Sequence, residues 1–535
     1  MGGTLSGERP PAAKGLRPLE SHGGGRIASL KKMDMIPGKR RLPETGRNAR
    51  NGRGAVSPRQ GPPAGRELLK KDGYAMYFKQ IVTPGLGCFS YMIGCPRAKS
   101  VAVVDPKRDI RDYLDIARDE GMRITHVINT HVHADHISGD QELRAATGAD
   151  IYVHKDSPVT YAHKGLNEGD VIEIGAARME VLFTPGHTPQ SISLVVTDLV
   201  RSAEPEMILT GDLLFVGDIG RPDLPGNQIL DAQVKNLYDS LYVKLAAYPD
   251  HMEVFPAHGQ GSLCGRGMSA KQSSTLGYER RANPMLRFAD FESFKTEVMS
   301  VFPVRPKSFS HIIAANMKGA NLLDACPLER ALSVEQFEAE MRSGATVIDV
   351  REAAAFGGMH IPGSLNIGFE KQLANWVGMV ADPDADIVLV TPTRDDYERM
   401  TVELHRIGYD RIMGFLRDGV MGWLLSGRPV DRLSLIAPRE LAGDLEKGAI
   451  TVVDVRTPAE WAAGHLAGAV HIPLTALIEG KSPDLPHSAP LATMCASGYR
   501  SNIAASLLLK RGFSNVSSLA GGAMAWSSAV LPMTA

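Results

Sequence analysis

The sequence predicts a multidomain α/β protein, and two observations carry that prediction. Short apolar runs alternate with helical stretches from about Tyr77 to Pro284, and from residue 328 onward one pattern occurs twice. Alternating strands and helices are the mark of layered α/β domains. A repeat of domain length marks two copies of one folding unit. At 535 residues the chain exceeds a single core and suggests about three or four domains.

Composition narrows the class. A hydrophobic share of 43% and a charged share of 22% are ordinary for a globular protein. A net charge of -1 gives the whole molecule no electrostatic case for binding nucleic acid or a membrane. No apolar run approaches the roughly 18 residues that cross a bilayer. Five cysteines (Cys88, Cys95, Cys264, Cys326 and Cys495) are an odd set without paired spacing. That argues against a disulfide framework and for a reducing compartment, so a cytoplasmic location is expected.

Taken in order, residues 1–72 read as a disordered basic extension, rich in Gly, Pro and Arg and without an apolar period. Its surplus of basic residues fits a nucleic-acid arm, a transit peptide or, more simply, a non-functional extension. Strands are expected at Ile81-Val82, Ser90 to Ile93 and Val101 to Val104, between Gly and Pro turns. Asp109 to Glu120 has helical spacing, with Ile110, Leu114 and Ala117 on one side. Ile124 to Asn129 is a buried strand that ends at a histidine cluster. The first α/β domain is placed at 73–325.

The repeat then sets two smaller domains, 326–432 and 433–535. Val347-Ile348-Asp349-Val350-Arg351 recurs as Val452-Val453-Asp454-Val455-Arg456. His360-Ile361-Pro362-Gly363 recurs as His465-Leu466-Ala467-Gly468, and Leu416-Arg417-Asp418-Gly419 as Leu519-Ala520-Gly521-Gly522. Each copy should have a central parallel sheet, with Leu433 to Pro438 joining them.

The strongest chemical signal is His131-Val132-His133-Ala134-Asp135-His136. Three imidazoles and a carboxylate within six residues, directly after a buried strand, can converge on one or two metal ions. His187, Asp212 and His258 each follow a strand-like run beside Gly or Pro, where a loop turns sharply and aims a side chain inward.

This order of motifs resembles the metallo-β-lactamase superfamily over about residues 77–285. The resemblance implies a four-layer αββα sandwich with metal at one edge. Two branches share these ligand types. Glyoxalase II uses all seven for two metals, whereas persulfide dioxygenases use one Fe(II). On the dioxygenase pattern the ligands are His131, His187 and Asp212, a two-histidine, one-carboxylate face with positions open for dioxygen and substrate. His133, Asp135, His136 and His258 then orient ligands and solvent, or hold a second metal. One Fe(II) per chain is the expected cofactor, with zinc the less favoured ion. The resemblance also implies a substrate contact for Arg221, in Gly220-Arg221-Pro222-Asp223, to the carboxylate of a thiol carrier. Tyr278 is placed to close over substrate, and Cys264 reads either as a sulfur relay or as a small buried hydrophobe.

Met494-Cys495-Ala496-Ser497-Gly498-Tyr499-Arg500 lies between a strand-like run and the helix Ser501 to Lys510. Backbone N–H groups and a helix N-terminus favour the thiolate there. Only four residues separate Cys495 from Arg500, one short of the phosphatase pattern, which favours sulfur over phosphate. Residues 434–532 resemble a rhodanese domain, in which Cys495 carries persulfide sulfur and Arg500 closes the loop. In the first copy the corresponding position is Thr391, followed by Asp395 and Asp396. A hydroxyl cannot hold a persulfide, so this copy should fold without transferring sulfur.

The whole arrangement resembles the multidomain persulfide dioxygenase–sulfurtransferases of bacterial sulfide detoxification. It implies small partners: a thiol persulfide, dioxygen, and sulfite or thiosulfate. The carrier is left open among glutathione, coenzyme A, bacillithiol and cysteine, as is the direction of the rhodanese step. Apolar edges between three α/β domains leave room for a homo-oligomer. The rival readings are a dinuclear zinc thioester hydrolase of the glyoxalase II kind, and a sulfur-carrier scaffold with a structural metal domain.

Overall fold

The computed structural model describes residues 75–323, 325–326, 330–370 and 372–534. The extension expected at residues 1–72 lies outside the described residues. The expected early strands form as Tyr77–Thr83, Cys88–Cys95 and Ser100–Val104, and the expected helix as Arg111–Asp119.

Two six-stranded sheets build the first domain. Strands from Tyr77–Thr83 to Lys164–Leu166 pair in chain order. The first pairings are antiparallel, and from Ser100–Val104 onward they are parallel. The second sheet runs from Ser274–Thr275 back to Val171–Ile174 and is antiparallel except where Met207–Gly211 meets Glu253–Pro256. Side chains alternate across each strand, so one strand feeds two cores. Ala102 and Val104 pack between the sheets with Met179, Val181 and Leu194. Val101 and Val103 face outward onto Tyr113, Ala117 and Leu143 of covering helices. On the other side Ile208 and Val254 meet Val234, Leu237 and Phe294. The result is the expected αββα sandwich.

Each later domain is a five-stranded, all-parallel sheet, and the strand order is the same in both: first, fifth, fourth, second, third. The stretch Leu433 to Pro438 differs from expectation. It is not merely a joint, because Ser434–Ile436 is the first strand of the last domain's sheet and pairs with Val516–Leu519. The repeat extends to side chains. Arg351 bonds Asp349 as Arg456 bonds Asp454, and His360 stacks on Phe356 as His465 stacks on Trp461, both at 3.8 Å.

One apolar core runs through the chain's second half and into its first. Residues of both repeats, such as Ile348, Tyr397, Val453 and Leu508, share it with Cys88, Ile137 and Ile312. No helix among the described residues is long and apolar enough to cross a membrane.

Candidate metal centre and sulfur-transfer loop

Loops leaving strand ends gather the candidate ligands. Arg123–Ile128 leads to His131, His133, Asp135 and His136, and Ala177–Phe183 leads to His187. Met207–Gly211 leads to Asp212 and Glu253–Pro256 to His258. All seven side chains are buried.

Three donor atoms face one another without a hydrogen-bond partner: His131 Nε2, His187 Nε2 and Asp212 Oδ2. Asp212 Oδ2 lies 3.7 Å from His131 Nε2 and 3.3 Å from His187 Nε2. Buried polar atoms are almost always satisfied, so three convergent orphans fit a ligand that takes lone pairs. The far side of each ring is fixed to leave that lone pair free. His187 Nδ1–H donates to the Arg221 carbonyl at 2.8 Å. The Thr130 hydroxyl donates to Asp105 at 2.9 Å and so accepts from His131 Nδ1–H, also 2.9 Å away. Burial lowers both histidine pKa values, which favours the neutral, metal-binding form.

The other donors are closer to one another, although His136 Nε2 and His258 Nε2 also lack hydrogen-bond partners. Cys88, Asp135, His136 and His258 form a second cluster. Asp135 Oδ1 is 3.0 Å from His136 Nδ1, and Asp135 Oδ2 is 2.8 Å from His258 Nε2. His258 Nδ1 is 2.6 Å from Asp212 Oδ1. Burial opposes charging His258, yet Asp135 and Asp212 on either side push its pKa well above the usual range. His133 takes a third role, with Nε2 3.2 Å from Asp105 and Nδ1 unpartnered.

Arg221 is placed differently from the expectation. Its guanidinium is buried and already forked onto Asp223, at 2.7 and 2.6 Å, with Nη1 on the Leu263 carbonyl. The face that would clamp a substrate carboxylate is occupied. Tyr278 is also far from its expected place. Thr275 pairs with Glu253 at the start of the strand whose other end leads to His258, so the helix Leu276–Ala282 begins at the wrong end of that strand. Tyr278 is exposed and has Lys271 over its ring. Cys264 does reach the centre, near Asp212 and His258, and burial pushes its thiol pKa well up.

Several contributors have no place in the sequence argument. Asp105, at φ +50°, accepts from the Thr130 amide and hydroxyl and braces the ligand loop. Such a backbone is tolerated by Asp better than by most residues. A carboxylate between a buried Val-Val run and Pro106 was the available signal. Cys88 lies 3.6 Å from Asp135. Asn316, on the helix Ser308–Lys318, donates to the His133 and His136 carbonyls at 2.9 and 2.8 Å. Nothing local in the sequence marks it.

In the last domain Cys495 is buried at the turn into the helix Tyr499–Lys510. The Gly498 N–H points at Sγ from 3.1 Å, and Ser501 lies 3.7 Å away. Gly498 has φ +101°, which favours glycine. The Cys495 and Ala496 carbonyls accept from Ala523 and Met524, so the loop is pinned by a second helix. Arg500 forks onto Glu460 at 2.8 and 2.6 Å, and those hydrogen bonds hold the Glu460 pKa down at about 2.

The first repeat touches both centres. The Ile137 amide, next to His136, donates to the Arg406 carbonyl at 2.7 Å. Arg406 forks onto Asp109, and Arg108 reaches Asp410 and the His405 carbonyl. At its other end, the Gly368 carbonyl accepts from Tyr499 of the Cys495 loop at 2.9 Å.

Comparison with known proteins agrees with this architecture. The metallo-beta-lactamase superfamily pattern matches residues 83–258, and the rhodanese-like domain pattern matches 333–426 and 437–529. A solved metallo-beta-lactamase from Staphylococcus aureus is 32% identical with a TM-score of 0.58, covering 64% of this chain and 98% of that one. The mitochondrial persulfide dioxygenase ETHE1 of Mus musculus is 28% identical over 259 residues, 48% of this chain and 94% of the relative. A hydroxyacylglutathione hydrolase of a Polaromonas species is 36% identical over 174 residues, 32% of this chain and 61% of the relative.

Proposed function

Because the chain belongs to the metallo-β-lactamase superfamily and carries two rhodanese-like domains behind that fold, we propose that it couples persulfide oxidation to sulfur transfer. The first domain oxidises a low-molecular-weight thiol persulfide: persulfide, dioxygen and water become thiol, sulfite and two protons. The last domain moves sulfur through Cys495, so that a second persulfide and sulfite become thiol and thiosulfate, or the reverse.

The fold implies a bound metal, and one observation carries the choice of a single ion. His131 Nε2, His187 Nε2 and Asp212 Oδ2 form a convergent, unpartnered set. In the neighbouring cluster, where His136 Nε2 and His258 Nε2 also lack hydrogen bonds, Asp135 Oδ2 closes to 2.8 Å on His258 Nε2 and His258 Nδ1 to 2.6 Å on Asp212 Oδ1. Two imidazoles and one carboxylate on one face are the donor set of non-haem Fe(II) oxygenases. His131, His187 and Asp212 would hold the ion, and iron there would supply the redox chemistry that activates dioxygen toward a persulfide. The persulfide dioxygenase relatives favour the same chemistry.

The chain's own residues do the positioning. Arg221 and Thr130 set the ring orientations of His187 and His131 through the hydrogen bonds above. His258, between Asp135 and Asp212, holds the second Asp212 oxygen and keeps a proton inside the site. In the last domain the Gly498 N–H and the start of the helix Tyr499–Lys510 stabilise the Cys495 thiolate and then the persulfide it carries. The first repeat serves as support for both centres.

A second reading has its own support: a dinuclear zinc thioester hydrolase, favoured by the likeness to a hydroxyacylglutathione hydrolase and by the Cys88, Asp135, His136 and His258 cluster. Metal stoichiometry after anaerobic loading separates the two. One Fe(II) per chain that is lost in Asp212→Ala supports the oxygenase. Two zinc ions per chain with thioester cleavage would select the hydrolase.

A further inference from the structure

We propose that the cavity joining His187 to Arg305 holds the carrier portion of the thiol, and that Arg305 binds the carrier's anionic terminus. The identity of the reacting sulfur rests on the persulfide reading. The binding of an anionic thiol does not.

The cavity has a volume of about 380 Å³ and includes His187, one of the three convergent donors. That volume falls within the usual range for small-molecule sites. Its walls are largely apolar, from Val132, Ala134, Leu224, Pro225, Ile313 and Met317. Arg305 is the one cationic side chain lining it. A small thiol lying here would have its sulfur at the metal donors and its carrier along the apolar wall.

The state of the two arginines decides which one is available. Arg221 is buried with its fork closed on Asp223. Arg305 is exposed, and the hydrogen bonds it makes go to neutral oxygens: Nη1 to the Leu224 carbonyl at 3.3 Å and Nη2 to the Ser310 hydroxyl at 3.1 Å. Among the described residues no carboxylate lies within ion-pair distance of it. A guanidinium has five N–H donors, so most of the Arg305 fork stays free. Leu224 and Ser310 nonetheless hold it at the cavity's edge. A held, unneutralised fork suits a carboxylate or a phosphate, each of which accepts two parallel hydrogen bonds. The class of ligand is therefore a thiol with an anionic end, which glutathione offers as carboxylate and coenzyme A as phosphate.

The test is anaerobic calorimetry on the full-length, iron-loaded protein with glutathione, coenzyme A and cysteamine, the last having no anion. The expected result is that Arg305→Ala weakens one or both anionic thiols at least tenfold, Arg305→Lys weakens them about threefold, and cysteamine is unaffected. Loss confined to glutathione assigns the carboxylate, and loss confined to coenzyme A the phosphate. Unchanged affinity for both anionic thiols, no binding of either by the wild type, or equal loss for cysteamine would overturn the proposal. Thiol binding without oxygen uptake on adding the persulfide would sink the oxygenase reading while leaving the subsite standing.

Discussion

The two rhodanese-like copies share a scaffold down to single contacts and differ at one loop. Both have the same strand order, the same Asp–Arg pair at the end of the second strand, and a Trp indole bonded to a proline carbonyl, Trp423 to Pro429 and Trp526 to Pro532. The loop after the fourth strand is where they part. Cys495 is followed by a helix that starts at Tyr499, whereas Thr391 is followed by one that starts sooner, at Arg394. Pro392 has no N–H to offer an anion, and Asp395 and Asp396 fill the first turn. A Cβ placed on Gly522 would sit 2.3 Å from the Cys495 carbonyl, but one on the equivalent Gly419 meets nothing within 4 Å. The cradle has withdrawn from the first copy. What distinguishes that copy is at the other end of the same helix, where the Arg406 carbonyl accepts from Ile137 of the histidine-bearing loop and the His405 carbonyl from Arg108. The fold tolerates a rebuilt loop because the core and that loop are separate layers of the sequence.

The comparison is broken most completely at Cys495. Cys495→Ser should reduce sulfur transfer from thiosulfate to cyanide to background and leave oxygen uptake within twofold. Thr391→Cys should not confer transfer on the first copy, since the thiol alone does not restore the N–H cradle. Measurable transfer by Thr391→Cys in a Cys495→Ser background would contradict the loop argument.

The docking end comes next. Arg406→Ala removes one of the two cations paired with the largely buried Asp109, Lys107 being the other at 2.9 Å, which costs about 1–3 kcal/mol. Thermal melting should fall, and bound metal should be lost faster to a chelator, because the Ile137 amide follows His136. A lower melting temperature with unchanged metal retention would confine the first copy to packing.

A pH effect sharpens the same point. Burial lowers the His405 pKa to about 4, with Asp410 opposing and Arg108 reinforcing the shift. The folded pKa lies below the unfolded value of 6.5, so between them the unfolded chain binds a proton that the native chain does not. Stability should fall as pH drops from 6.5 towards 4, by up to about 3 kcal/mol. His405→Phe should flatten that part of the pH–stability curve, and an unchanged slope would place the titration elsewhere.

The smallest effect is expected at the contact between copies. Tyr499→Phe removes one hydrogen bond to the Gly368 carbonyl, worth about 1 kcal/mol. Sulfur transfer should slow less than fivefold, with no change at the metal centre.

The sequence made the fold class, the repeat and the cluster of histidines and aspartates at the strand ends legible because periodicity and spacing are local. Residues acting through distant loops were harder to read. Asp105 is a strand away from the ligands it braces, and Asn316 is placed by a helix that follows the strands by dozens of residues. Ser434–Ile436 was hidden by its length, since three residues beside a proline look like a joint. Arg221 and Tyr278 show the limit of carrying a motif across. Whether a fork is free depends on Asp223, and whether a tyrosine faces the site depends on which end of its strand it leaves.

The central claim is that oxidation and transfer occupy separate centres in one chain. Its most direct test is oxygen uptake by anaerobically purified, iron-loaded protein given glutathione persulfide, with sulfite and metal content measured on the same sample. The account predicts uptake with stoichiometric sulfite, lost in His187→Ala and retained in Cys495→Ser. No uptake by protein carrying one iron per chain would contradict it.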